Sequence, residues 1–94
     1  MMKRSLYTLT REELKSYIFE IQDTIKFHLN KGGNVDSFLD ETDLIDDFES
    51  VLPDEDFAIF VITVLNGIKT ESIINTLLDS LLKSIQSKSP VLNS

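Results

Sequence analysis

Gly32-Gly33, Leu52-Pro53 and Asn66-Gly67 cut this 94-residue chain into four pieces, and each piece must form and end its own element. Glycine just past a helix takes the left-handed conformation that closes it, and proline cannot continue one. Inside the pieces, apolar residues recur at spacings of three and four. Leu14, Ile18, Ile21, Ile25 and Leu29 do so in the first, with Tyr17 and His28 beside them. Ile73, Ile74, Leu77, Leu78, Leu81, Leu82 and Ile85 do so in the last, the widest apolar face in the chain. That period belongs to a helix packed along one side. Phe19 and Phe27 fall off the first stripe, and the pattern leaves their surroundings open.

Start signals match the stops. Thr10-Arg11-Glu12-Glu13 fits the capping box, in which the Thr hydroxyl accepts from the third helical amide and Glu13 reaches back to the cap. Asn34 or Asp36 can cap a second helix carrying Phe38, Ile45, Phe48 and Leu52 on one face, with a break possible near residues 40–43, where Thr42 and Asp43 are themselves good caps. Pro53 suits the first turn of a third helix, and Asp54, Glu55 and Asp56 complement the positive end of its dipole. Phe57 to Leu65 is apolar all round and rich in β-branched residues, so a buried strand is the competing assignment. Nothing else reads as a pairing strand, and Asn66-Gly67 is a helical stop, which predicts a central, fully buried helix. Thr70 can cap the last helix.

The expectation is one all-α domain over residues 1–94, a compact bundle of about four helices, with 1–9 as an N-terminal arm and 87–94 as a C-terminal tail. No 20–50-residue repeat is present. Without Cys and with one His, the chain builds neither a disulfide framework nor a Cys/His zinc site, and a reducing compartment is expected. Residues 5–13 turn polar before a signal-peptide core could form, and the nine-residue apolar run 57–65 is about half a bilayer span. Cytoplasmic location, no membrane and no cofactor follow as expectations.

Charge is distributed less evenly than apolar residues. The net charge is −7, the wrong sign for direct contact with nucleic acid or an anionic membrane. Asp36, Asp40, Glu41, Asp43, Asp46, Asp47, Glu49, Asp54, Glu55 and Asp56 all lie within residues 34–56, which hold no Lys or Arg. The flanking segments are slightly basic. On one continuous helix, Asp36, Asp40, Asp43 and Asp47 would form a line of roughly 16 Å opposite the apolar face. Each i,i+4 pair of like charges destabilises a helix by roughly 0.2–0.5 kcal/mol, a breach of local rules without local compensation. Such a stripe either keeps a small acidic protein soluble or mimics a polyanion and docks on a basic surface.

No EF-hand spacing, nucleophile elbow or glycine-rich phosphate loop occurs, so no catalytic or metal-ligating set is assigned. His28 has no partner foreseeable from sequence. Asp36-Ser37-Phe38 resembles the Asp-Ser-Leu/Phe site of acyl and peptidyl carrier proteins, which implies phosphopantetheine on Ser37; Pro53-Asp54-Glu55 adds to the likeness. The polar run Leu39 to Asp47 departs from the apolar second helix of that family. Tyr7-Thr8, Glu12-Glu13-Leu14 and Ile21 resemble the first helix of the small acidic immunity proteins that block bacterial nuclease toxins, over about a sixth of the chain. That group's tyrosine pair and Pro-bearing toxin-binding segment are missing, so the likeness implies a kind of function and carries over no contact residue.

A non-enzymatic function of the immunity or inhibitor type is therefore expected. The acidic face would cover the basic cleft of a nucleic-acid-processing partner such as a nuclease toxin. Asp36, Asp40, Asp43 and Asp47 are the main contacts, with Asp46, Glu49, Asp54, Glu55 and Asp56 as the rim. The rival expectation is a helical adaptor or homo-oligomer that pairs through the apolar face of the last helix.

Overall fold

The computed structural model describes residues 5–42 and 44–88. A 3₁₀ turn at Leu6–Thr8 leads into α1 (Arg11–Asn30), followed by α2 (Val35–Glu41), α3 (Asp46–Val51), α4 (Asp54–Leu65) and α5 (Glu71–Lys88). No strand occurs among the described residues, and the all-α bundle is the observed architecture. The described residues form five α-helices, because the break allowed near residues 40–43 divides the second piece into two short ones.

The caps explain why elements start and stop where they do. Thr10 Oγ1 accepts from the Glu13 amide at 3.2 Å, and Glu13 Oε1 accepts from the Thr10 amide at 2.9 Å, closing the capping box of α1. Asn34 and Ser37 form the equivalent pair at the start of α2. α1 and α4 end alike. Gly32 (φ 92°) and Gly67 (φ 64°) sit in the left-handed region that a side chain would strain. The following amides, of Gly33 and Ile68, donate back to His28 and Thr63 carbonyls at 3.1 and 2.9 Å. Both ends are Schellman motifs, which satisfy carbonyls that would otherwise be orphaned. Pro53 stands one place before α4, and the Thr70 carbonyl accepts from Ile74 in the first turn of α5.

The core lies between α1 and α5 on one side and the three shorter helices on the other. Leu14, Tyr17, Ile18, Ile21 and Ile25 meet Ile74, Leu77, Leu78 and Leu81, with Phe38, Phe48 and Phe60 reaching in from α2, α3 and α4. Phe48 stacks on Phe60 with ring centroids 4.2 Å apart and touches Tyr17 at 5.9 Å. Leu6 is also buried, so the expected N-terminal arm contributes to the core, and α5 runs two residues past the expected start of the tail. Phe19 packs partly against the core beneath Lys69, whereas Phe27 is exposed under Lys31.

The break allowed near residues 40–43 in the second piece is present: α2 ends at Glu41, and Leu44 and Ile45 turn into the core before α3 begins. Elsewhere a sequence expectation changes. α4 is not fully buried. Phe60, Thr63 and Val64 face inward, but Ile59 and Ile62 are 46% and 57% exposed. A domain this small has too few layers to cover an apolar helix on every side. The whole Ile/Leu face of α5 is either buried or packed in part against the core, as a helix packed along one side requires.

Candidate functional site

The break between α2 and α3 decides how the acidic segment is displayed. Asp36, Asp40 and Glu41 are exposed on α2, Asp46 and Glu49 on α3, and Asp54 and Glu55 on the first turn of α4. The carboxylates therefore occupy three short helices instead of one line along a single helix. Asp47 is half-buried. Asp56 is half-buried as well, and its Oδ2 accepts from Ser80 Oγ on α5 at 2.6 Å, so this carboxylate joins two helices. Asp43 lies outside the described residues.

Between these helices lies a mainly apolar cleft of about 280 Å³. Leu39 of α2, Ile45 at the break, and Phe57, Val61, Val64 and Leu65 of α4 line it, with Asp46 and Glu49 of α3 at its edge. Leu39 is 40% exposed, and Asp36 and Asp40 stand on the same short helix. Asp54 shares the helical face of Val61 and Leu65, since seven and eleven residues are close to two and three full turns. Carboxylates thus come from all three helices that form the walls. The sequence pointed to the carboxylates but not to the cleft, because the cleft exists only once α2, α3 and α4 are packed together.

Ser37 and His28 come together at the α1–α2 junction. His28 Nε2 lies 2.8 Å from Ser37 Oγ, which also receives the Asn34 amide at 3.2 Å and donates to the Asn34 carbonyl at 2.9 Å. Assigned from this network, the His28 proton sits on Nε2 and the hydroxyl hydrogen on the Asn34 carbonyl. His28 meets the Phe38 ring edge-on, and a Cβ at Gly33 would overlap the imidazole. Both residues serve the turn and the cap, and the Ser37 hydroxyl is engaged as donor and acceptor. Among the described residues, no three His, Asp or Glu side chains are grouped closely enough to hold a metal ion.

A second cleft, of about 370 Å³, lies between α1 and the end of α4. Its wall mixes signs: Asp23 and Lys69 pair across it at 3.5 Å, and Lys26 is nearby. Behind them Gln22 is 4% exposed and donates from Nε2 to the Thr63 and Ile68 carbonyls at 3.3 and 2.8 Å. Its Oε1 is buried without a hydrogen-bond partner. Sequence gives no sign of this clamp, since a Gln inside an apolar stripe reads as a surface residue.

Compared with known proteins, the chain matches no family model, no curated protein and no solved structure. No helix among the described residues is long and apolar enough to cross a membrane. The functional reading therefore rests on the chain's own residues.

Proposed function

We propose that this chain is a non-catalytic binding protein of the inhibitor or immunity type, covering a basic surface of a nucleic-acid-processing partner and excluding substrate by occupancy. One observation carries the reading: seven carboxylates, those of Asp36, Asp40, Glu41, Asp46, Glu49, Asp54 and Glu55, are exposed within a segment that contains no Lys or Arg. A one-signed patch of this kind raises the rate of encounter with a cationic surface and rejects anionic ones. The apolar cleft among the carboxylates adds the second ingredient of a specific interface, a desolvated centre inside a polar rim. The proposed partner is a basic protein such as a nuclease toxin, and the acting compartment is the cytoplasm.

The test is a parallel pull-down from the native host with wild-type chain and an Asp40→Lys/Asp43→Lys variant as baits, eluted by a salt gradient. Wild type should retain a basic nucleic-acid-processing protein that salt releases. The variant should release it at distinctly lower salt while its circular dichroism stays near wild type. Added in equimolar amount, the purified chain should then suppress the partner's action on nucleic acid. Retention indifferent to both salt and charge reversal, or a partner whose activity is unchanged, overturns the proposal.

A further inference from the structure

The cleft among the acidic helices is small for a ligand pocket, below the roughly 300–1,000 Å³ usual for small-molecule sites. At about 280 Å³ it suits one large side chain better than a nucleotide or cofactor. Its floor and walls are aliphatic and aromatic, and no Lys, Arg or His lines it. Polar recognition is confined to Asp46 and Glu49, three residues apart on one face of α3, and Asp54 stands in register on the α4 wall.

These features select among occupants. A second copy would bring its own acidic rim against this one, opposing like charges around an apolar centre, which disfavours self-association through this face. An anionic lipid surface is repelled for the same reason. A cationic chain gains on both counts, because its apolar residue leaves water while its charges meet carboxylates on either side. We infer that the cleft is the anchor site for a cationic segment of a partner protein. It takes one large apolar or aromatic side chain between the α2 and α4 walls, with a flanking Lys or Arg on Asp46 and Glu49. This rests on the reading of the chain as an acidic binding protein and names the point at which that binding becomes specific.

The test uses three synthetic nine-residue peptides with blocked ends: four Arg around a central Trp, the same with central Ala, and four Glu around a central Trp. Each is titrated into the full ¹⁵N-labelled chain at low ionic strength. The Arg/Trp peptide should bind at least about tenfold more tightly than the Arg/Ala peptide, with the largest amide shifts at Leu39, Val61 and Leu65. The Glu/Trp peptide should not bind. Leu39→Ser, at a half-exposed wall position, should abolish the Trp preference yet keep the weaker binding of both Arg peptides. Equal binding of the two Arg peptides overturns the anchor site and leaves the acidic surface standing. Shifts centred on Ile59 and Ile62, or cleft shifts that grow with chain concentration alone, overturn the site by placing the contact elsewhere or by seating a second copy. If neither Arg peptide binds, the acidic-surface reading fails along with it.

Discussion

α1 and α5 are the long helices of this molecule, 20 and 18 residues, and the acidic stretch between them is divided among pieces of 7, 6 and 12. The long pair pack their stripes against one another and are tied by ion pairing, as where Arg11 meets Asp79 at 2.6 Å. The short helices each place one or two aromatic or aliphatic residues inward and direct most of their carboxylates outward. Burial alone does not distinguish the regions, since Phe38 and Phe48 are as covered as Leu14 or Leu81. The difference lies in the charge that remains outside: both signs on the long pair, and acid alone beside exposed apolar residues on the short ones. A densely charged segment can thus fold in pieces too short to be stable alone, provided that each is anchored by its inward residues.

The sharpest test of that comparison is Phe48→Ala. Removing the ring that lies between Tyr17 and Phe60 should cost about 3–5 kcal/mol by urea unfolding, as much as a large truncation in a core anywhere. Ile62→Ala on exposed α4 surface should stay within about 0.5 kcal/mol. A small loss at Phe48 would mean that the acidic region is peripheral to the cooperative fold. Next in size, Gly33→Ala forces a methyl against His28 and should lower stability by about 1–3 kcal/mol, readable in the same unfolding curves. Thr10→Ala removes one half of the α1 capping box and should cost about 1 kcal/mol, with fraying of residues 11–14 visible in amide exchange. The smallest effect carries the opposite sign. Asp40→Asn relieves an i,i+4 repulsion with Asp36 near the C-terminal end of α2 and should stabilise by about 0.2–0.5 kcal/mol in low salt, the gain fading as salt is added.

Local chemistry was the legible part of the sequence. The Thr10 cap, the stops at Gly32-Gly33 and Asn66-Gly67, and the inward set Phe38, Ile45, Phe48 and Leu52 follow from residue type and spacing and are present in the fold, which also chooses Asn34 over Asp36 as cap and Gly32 over Gly33 as the left-handed residue. The break near residues 40–43, legible from the capping residues there, is present, but the inward turn of Leu44 that goes with it was not read. Spacing puts Ile45 on the same face as Phe38, but packing Leu44 together with Ile45 needs the chain to turn there, and periodicity is blind to that demand. The exposure of Ile59 and Ile62 depends on how many neighbours α4 finds, which is a property of the assembled domain. At the candidate site, the identity of the acidic residues was legible. The engagement of Asp56 by Ser80 and the cleft at Leu39 and Val61 were not, because each joins residues from different helices.

The Gln22 clamp has a consequence for motion. Both carbonyls it holds belong to the close of α4, so swinging that end away from α1 strips two hydrogen bonds at once and exposes an amide that is now buried. The Thr63–Ile68 segment is therefore a latch. The far wall of the acidic cleft, carried on the same helix, is thereby held in place from behind.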